Sequence, residues 1–274
     1  MNTPVETGEA FPAQELWAVA DALADAARAP TLSRFREQGL GIENKAGVAA
    51  FDPVTEADRA SEKAMRAVLA ELRPDDGILG EEFGPVSGTS GLTWVLDPID
   101  GTRAYMSGTP TWGVLISLND ADGPRLGVID QPYIGERFSG GTGRATVTGP
   151  RGSAPLRTRP CAALAEATIF TTYPEVGSAT EQRGFQEVAR QCRLTRYGMD
   201  CYAYGLLAAG QVDLVIEAGL QSYDICAPIA VIEAAGGIVT DWQGGPAHGG
   251  GRALAAGSPE IHAAALEILR EVPA

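Results

Sequence analysis

Two aspartates that follow a buried apolar run are the residues in this sequence best placed to hold a metal ion. Asp97 and Asp100 flank Pro98 and Ile99 in the stretch WVLDPIDGT. The residues before Asp97 show no helical period and predict a strand that ends at the proline, so a turn there can point both carboxylates at one place. Carboxylates about 4 Å apart repel by roughly 4 kcal/mol at an effective dielectric of 20. The stretch therefore predicts a site for a hard cation. The same residues are equally compatible with a purely structural Asp-Pro turn closed by Gly101.

Four further acids stand where predicted elements begin or end. Asp58 follows Thr55 by three residues at the start of an amphipathic helix, which is the spacing of a capping box. Glu81 and Glu82 close a short apolar run, a place where glutamates are usually solvated. Asp224 lies in the first turn of an apolar helix, where the helix dipole favours an acid by up to about 1 kcal/mol. Each position also has a functional interpretation. Asp58 would be a carboxylate aimed at the site, Glu81 and Glu82 would lie where carboxylates from separate elements converge on one metal, and Asp224 would face a cleft.

The elements that would position these acids are predicted from hydrophobic periodicity. In the first half we expect helices from Pro12 to Ala29 and after Thr55, a strand from Gly77 to Gly80, and a hairpin of GVLISL and RLGVID. In the second half we expect strands at Ala167 to Thr171, Leu194 to Tyr197, Val212 to Ile216 and Ile238 to Thr240, and helices at Thr180 to Gln191, Asp200 to Ala209, Asp224 to Ala235 and after Ser258. This alternation predicts a layered α/β fold.

Glycines and prolines become more frequent between Gly135 and Pro160, which indicates a junction between two lobes. The expected division is an N-terminal α+β lobe, residues 1–145, that carries most metal ligands. A C-terminal α/β lobe, residues 146–274, would carry Asp224 and the residues on the substrate side.

Composition limits the classes of function. Of the 274 residues, 45% are hydrophobic and 20% are charged, which is typical of a globular protein. The formal charge of −14 argues against nucleic-acid binding. No apolar run is long enough for a membrane span and no leader is evident, so we expect a cytoplasmic protein with no membrane partner. The four cysteines are expected to be reduced and buried, and His248 and His262 to lie on the surface.

With Glu81-Glu82, DPIDGT, Tyr223-Asp224 and Gly236-Gly237 in this order, the chain resembles the inositol monophosphatase superfamily of Mg²⁺-dependent, lithium-sensitive phosphomonoesterases. The likeness extends from Asp52 to Trp242. The phrases FDPVTEADRA, GILGEEFG, GVIDQP and DCYAYGLLAAGQVDLVIEAGL are most similar to the histidinol-phosphate phosphatase branch. The resemblance implies a mixed α/β fold, a five-layered αβαβα sandwich of the inositol monophosphatase / fructose-1,6-bisphosphatase type. It also implies an active site between two lobes and a homodimer.

The resemblance implies two or three Mg²⁺ ions per active site. It assigns Glu81, Asp97 and the carbonyl of Ile99 to the first metal, and Asp97, Asp100 and Asp224 to the second. A water on the first metal would attack phosphorus and give its proton to Glu81 or to a pair formed by Thr102 and Asp58. No covalent phosphoenzyme is expected.

The substrate-binding residues implied by the resemblance are Asp100, Gly101, Thr102, Arg196, Asp200, Glu217 and Asp224. The backbone N–H groups of Gly101 and Thr102 would hold phosphate oxygens, while Arg196, Asp200 and Glu217 would contact the organic part. Lys45 falls where a basic residue approaches a third metal or the phosphate. Tyr223 stands where many members have Trp, which affects the shape of the pocket wall.

The leading functional hypothesis is Mg²⁺-dependent hydrolysis of L-histidinol phosphate, a small phosphomonoester, in histidine biosynthesis. One alternative is an inositol monophosphatase or a related sugar or nucleotide phosphatase. A third hypothesis, from another class, is a non-catalytic binder of phosphate ligands, against which the intact set of carboxylates argues.

Overall fold

A computed structural model of the chain describes residues 12–37, 43–44 and 53–273, so Lys45 and Asp52 lie outside the described residues. The helices there are α1 (Ala13–Arg34), α2 (Glu56–Leu72), α3 (Thr102–Ser107), α4 (Ala179–Ala189), α5 (Tyr202–Ala208), α6 (Ser222–Ala234) and α7 (Pro259–Leu269). The strands are β1 (Glu43–Asn44), β2 (Pro53–Val54), β3 (Gly77–Gly80), β4 (Gly84–Val86), β5 (Thr93–Asp100), β6 (Gly113–Asp120), β7 (Gly123–Gln131), β8 (Glu136–Gly141), β9 (Arg144–Gly149), β10 (Gly152–Pro155), β11 (Thr168–Thr171), β12 (Leu194–Tyr197), β13 (Leu214–Leu220), β14 (Ile238–Thr240) and β15 (Gly251–Ala256).

The first sheet has the strand order β10-β9-β8-β7-β6-β5-β3-β4. Strand β3 runs parallel to β5, which brings the residue after Gly80 beside the carboxyl end of the TWVLD run. The strand does not end at Pro98 as the sequence suggested. It continues to Asp100 with a shift of register against β6 between Asp97 and Asp100. Such an irregularity accommodates a proline, which has no N–H to donate, and re-aims the side chains around it.

Five layers follow from the packing of the helices on two sheets. Helices α1 and α2 cover one face of the first sheet through a core that includes Leu23, Met65 and Trp94. The other face packs on α5 and α6, which also contact the second sheet. Helices α4 and α7 cover the outer face of the second sheet around Phe185 and Leu266. The predicted αβαβα sandwich is confirmed.

The glycine-rich segment predicted to join two lobes contains strands β8, β9 and β10 of the first sheet. The sheet runs on to Pro155, so a division at residue 145 falls inside β9. One of these glycines serves close packing. A Cβ on Gly140 would lie 2.4 Å from the Cα of Val231 in α6. Composition alone does not separate a glycine that loosens the chain from one that lets a helix approach a sheet.

The second sheet has the order β12-β11-β13-β15-β14, with β15 antiparallel to both of its neighbours. Strand β15 was not predicted, because its small, alanine-rich sequence follows a run of glycines. His262 was expected on the surface but is buried, with 9% of its area exposed, and its Nε2 lies 2.9 Å from the hydroxyl of Thr240. Burial lowers the pKa of His262. No described helix is both long and apolar enough to span a membrane.

Candidate active site

Three carboxylates from two elements meet where β5 ends and α6 begins. Asp97 and Asp100 come from β5, and Asp224 from the first turn of α6. One oxygen from each of the three acids lies within 4.8 Å of the other two. Asp97 is 2% exposed, and the other two are partly buried. The two aspartates predicted from WVLDPIDGT therefore do converge, and the third acid comes from the other half of the chain.

Backbone N–H groups fix the orientation of all three acids. The N–H of Ile99 donates to Asp97 Oδ1 at 3.0 Å, and that of Cys201 to Asp100 Oδ2 at 2.7 Å. The N–H of Gln221 donates to Asp224 Oδ2 at 2.7 Å, within a capping box of α6. Asp224 is thus both the helix-capping acid and a member of the cluster, and the two interpretations of its position are compatible.

The electrostatics of the cluster favour protonation in the absence of a cation. Burial, together with the charges of Glu81, Asp100 and Asp224, raises the pKa of Asp97 well above its usual range. Burial and the charge of Asp224 do the same for Asp100. Burial raises the pKa of Asp224 to about 7, against the hydrogen bond from Gln221. Like charges in a poorly solvated place cannot all ionise, so protons or a metal ion must occupy the space between them.

Glu81 reaches the same region from β3. Its backbone N–H donates to the carbonyl of Leu96 at 3.2 Å, which sets it beside Asp97 across the parallel pair of strands. Its charge contributes to the raised pKa of both Asp97 and Asp224. The carbonyl of Ile99 accepts a hydrogen bond from Thr102 Oγ1 at 3.2 Å.

Asp58 is a capping-box residue, as its spacing predicted. Its Oδ2 accepts the N–H of Thr55 at 2.8 Å and the hydroxyl of the same residue at 2.5 Å. Burial raises its pKa to about 6 against these hydrogen bonds. Within the described part of the chain Asp58 and Thr102 share no hydrogen bond, because the hydroxyl of Thr102 is directed to Ile99. A proton relay through that pair stays a prediction.

A cavity of about 340 Å³ opens beside Asp100 and Asp224. Its lining includes Gly101 and Thr102, in which the sequence predicted phosphate-binding N–H groups, and also Asp200 and Glu217. Gly101 has φ of +83°, a conformation that glycine adopts without strain at the start of α3. The cavity therefore joins the cluster to the two acids predicted to face the organic part of a substrate.

Asp200 and Glu217 are held in different ways. Asp200 Oδ2 accepts the hydroxyl of Thr111 at 2.7 Å, and no other hydrogen bond to its carboxylate is found among the described residues. Its φ of +47° is unusual for a residue other than glycine, although aspartate tolerates it better than most. Glu217 accepts the N–H and hydroxyl of Thr172 and the hydroxyl of Tyr204, so both of its oxygens have protein partners.

Arg196 lies apart from these residues. It is exposed on β12, the edge strand of the second sheet, and does not belong to the cavity lining. Two residues that the sequence did not single out do line the cavity. The guanidinium carbon of Arg103 lies 5.3 Å from the ring centre of Tyr173, in the loop after β11. The position of Arg103 directly after the DPIDGT phrase could have drawn attention to it, whereas Tyr173 carried no signal.

Comparison with known proteins places this arrangement in a family. The model of the inositol monophosphatase family matches residues 13–274. The chain belongs to the inositol monophosphatase family. The chloroplastic bifunctional phosphatase IMPL2 of Arabidopsis thaliana is 40% identical over 263 residues, which cover 92% of this chain and 74% of that protein. A histidinol-phosphatase of Streptomyces coelicolor is 35% identical over 266 residues, 92% of this chain and 96% of its own. An inositol monophosphatase structure from Zymomonas mobilis has a TM-score of 0.83 and 39% identity, covering 94% of this chain and 99% of that one.

Enzymes of this family are metal-dependent phosphatases, typically with Mg²⁺, and the donor atoms of this chain fit such an ion. The cluster offers only carboxylate oxygens, the ligands that Mg²⁺ prefers. Among the described residues the cavity wall carries one guanidinium, that of Arg103, and five carboxylates, those of Asp100, Glu175, Asp200, Glu217 and Asp224. A phosphate dianion would be repelled by such a wall unless cations were bound first.

Proposed function

We propose that this protein hydrolyses L-histidinol phosphate to L-histidinol and phosphate with Mg²⁺, as a step in histidine biosynthesis. The observation that carries the proposal is a single cavity that joins the carboxylate cluster to Asp200, an acid outside that cluster. The likeness to a histidinol-phosphatase over 92% of the chain supports the choice of substrate. A cytoplasmic location and a homodimeric assembly belong to the same proposal.

In this proposal Glu81, Asp97 and the Ile99 carbonyl hold one Mg²⁺, and Asp97, Asp100 and Asp224 hold a second. Bound Mg²⁺ supplies the positive charge that polarises the phosphoryl oxygens and makes water a better nucleophile. The protein's contribution is a preorganised set of oxygens. The N–H groups of Ile99, Cys201 and Gln221 already hold the three aspartates in place, so little reorganisation is needed when the charge arrives.

The organic part of the substrate would be recognised by charge. L-Histidinol phosphate carries an ammonium group and an imidazole, whereas inositol phosphate carries only hydroxyls beyond its phosphate. Asp200 lines the cavity with one oxygen held by Thr111 and the other without a hydrogen bond in the described residues. A charge-assisted hydrogen bond from an ammonium to that carboxylate would contribute roughly 1.5 to 3 kcal/mol.

Proton transfer would fall to acids near the cluster. Asp58, with a pKa of about 6, is mostly ionised at neutral pH and can accept a proton there. Glu81 is the alternative acceptor, because it lies beside Asp97 at the end of β3. The N–H groups of Gly101 and Thr102 would hold the phosphate, with the left-handed backbone of Gly101 setting their direction.

The test compares Asp200→Asn with wild type on two substrates. Asparagine tolerates the left-handed backbone of residue 200, and its side chain has nearly the same shape as that of aspartate. The variant therefore removes the charge without adding strain. We expect kcat/KM for L-histidinol phosphate to fall about ten- to a hundredfold, and that for glycerol phosphate to change little.

Glu175→Gln is the matched control, since it removes a charge from the same wall at an exposed position. An equal loss on both substrates in Asp200→Asn, or an equal loss in the control, would refute the assignment of Asp200. Preference of the wild type for inositol phosphate would favour the alternative, inositol monophosphatase activity, which the likeness to the Zymomonas mobilis enzyme supports. Absence of turnover on any phosphomonoester would favour a non-catalytic binder.

A further inference from the structure

A buried carboxylate on α2 holds the turn that carries Glu81. Glu62 has no exposed surface and extends from α2 towards the turn between β3 and β4. Its Oε2 accepts the N–H of Glu82 at 2.7 Å, and its Oε1 accepts the N–H of Phe83 at 3.3 Å. The two residues that follow Glu81 are therefore bound to a single side chain, which links the backbone of this turn to α2.

The strand before the turn is shaped to admit this side chain. A Cβ on Gly80 would lie 2.0 Å from Glu62 Oε1 and 2.4 Å from its Cδ. Real Cβ atoms do not approach other atoms so closely, so any larger residue at position 80 would displace the carboxylate. The glycine in GILGEEFG thus permits close contact between the strand and Glu62, in addition to ending β3.

Arg66 completes the arrangement and balances its charge. Its Nε donates to Glu62 Oε1 at 2.8 Å, one helical turn along α2. A second nitrogen of the same guanidinium donates to the carbonyl of Gly84 at 2.5 Å, on the far side of the turn. The ion pair thus contacts the turn at Glu82, Phe83 and Gly84, while Glu81 itself is tied to Leu96 of β5.

We propose that Glu62 is a positioning residue for metal binding, which holds the Glu81 carboxylate towards Asp97 by fixing the turn behind it. The inference rests on the proposed function, in which Glu81 is a metal ligand. It assigns to Glu62 no contact with metal or substrate. Groups that orient a metal ligand typically change metal affinity by about 10- to 100-fold when they are altered.

The test measures Mg²⁺ binding by calorimetry in Glu62→Gln. Glutamine preserves the size of the side chain, but it cannot accept all three of these hydrogen bonds as the carboxylate does. We expect the dissociation constant for Mg²⁺ to rise about 10- to 100-fold. Most of kcat should return at saturating Mg²⁺, because the ligands themselves remain.

The matched control is Asp76→Asn, which perturbs a similar buried ion pair at the opposite end of β3. Asp76 is 5% exposed and accepts hydrogen bonds from Arg73 and from the indole of Trp94. It is remote from the cluster, so its loss should lower stability and leave Mg²⁺ affinity within about twofold of wild type. Binding is measured at a temperature at which all variants are folded. If Glu62→Gln does not fold, Arg66→Gln takes its place, with a smaller expected loss of affinity.

Three outcomes separate the claims. A loss of affinity in Glu62→Gln that the control does not share supports the inference. Equal Mg²⁺ affinity in Glu62→Gln and Asp76→Asn overturns it and leaves the proposed function intact. Absence of Mg²⁺ binding by the wild type overturns the inference and the proposed function together.

Discussion

Two groups of aspartates with little exposed surface differ in this molecule, those paired with arginine, represented by Asp213, and those of the carboxylate cluster. Asp213, before β13, is 1% exposed. Its carboxylate accepts hydrogen bonds from Nε and a terminal nitrogen of Arg159, both at 2.6 Å, and from the N–H of Thr168 at 2.7 Å. Asp97 is 2% exposed and stands among other carboxylates. Within the described residues, Asp97, Asp100 and Asp224 form no ion pair.

The difference shows what each group is for. A buried charge needs an opposite charge, and Asp213 has one built into the protein. At the cluster the described residues supply no such charge, and protons or a metal ion can supply it. Burial and mutual repulsion raise the pKa of all three acids, which is the expected state of a cation site without its cation. The comparison predicts that the same substitution, Asp to Asn, has different consequences in the two groups.

The largest expected effect is on catalysis. Asp97→Asn removes a ligand shared by both proposed Mg²⁺ ions, and kcat/KM should fall by about a thousandfold or more, corresponding to roughly 4 kcal/mol of lost transition-state stabilisation. Steady-state kinetics on L-histidinol phosphate measure it. Asp213→Asn serves as the control and should retain its kcat/KM at a temperature at which it is folded. Activity of Asp97→Asn near the wild-type level would remove the distinction between the groups.

The pH dependence of stability should reveal the unpaired acids. In metal-free protein the pKa is about 6 for Asp58 and about 7 for Asp224, above the value of 3.8 for a solvated aspartate. The folded state therefore binds more protons than the unfolded state between pH 4 and 7, and the free energy of unfolding should fall as pH rises through that range. The shifted pKa of Asp58 alone accounts for a fall of roughly 3 kcal/mol in the free energy of unfolding.

Denaturant titrations in chelator at several pH values measure this slope. Asp58→Asn should flatten it, which separates the contribution of this one acid from that of the overall negative charge. A stability that rises with pH in chelator would show that these carboxylates are already compensated in the folded protein.

Stability should respond to the two Asp-to-Asn variants with opposite signs. In chelator at pH 8, Asp213→Asn leaves Arg159 without its partner and should destabilise the protein by about 2 to 3 kcal/mol. This loss is smaller than the roughly 3 to 5 kcal/mol typical of a broken buried ion pair, because the Arg159 side chain is 38% exposed and can be rehydrated. Asp97→Asn relieves repulsion and should stabilise the metal-free protein. Thermal or denaturant unfolding checks both, and destabilisation by both variants would contradict the comparison.

The smallest expected effect concerns Glu217. Its oxygens are already bound by Thr172 and Tyr204, so we expect it to shape the cavity wall more than to bind the substrate. Glu217→Gln should lower kcat/KM about two- to tenfold, the loss that one hydrogen bond explains. A loss for L-histidinol phosphate that exceeds that of Asp200→Asn would exchange the roles of the two acids.

The sequence predicted the elements around the site more fully than the site itself. Strand Gly77–Gly80, the capping box of Thr55 and Asp58, and the β6-β7 hairpin follow from local pattern, and the structure contains all three. Convergence of Asp224 with Asp97 depends on α6 packing against the first sheet. Local pattern carries no information on that contact, and only the family resemblance suggested it.

Other features depended on contacts that no local rule describes. Gly140 was interpreted as part of a junction between lobes, because composition does not reveal its close approach to Val231. His262 was predicted to lie on the surface, because the sequence gives no sign of its hydrogen bond to Thr240 in a separate element. Tyr173 lines the cavity through the course of a loop, and Glu62 lies against Gly80 through the packing of α2 on the sheet.

The central claim is that the carboxylate cluster is a Mg²⁺ site that holds protons when the metal is absent. The most direct measurement is calorimetric titration of Mg²⁺ into metal-free protein at pH 7, in two buffers that differ in ionisation enthalpy. Our account predicts saturable binding with release of protons, because burial and mutual repulsion raise the pKa of Asp97 and Asp100 well above their usual range and that of Asp224 to about 7. No Mg²⁺ binding, or binding without proton release, would contradict it.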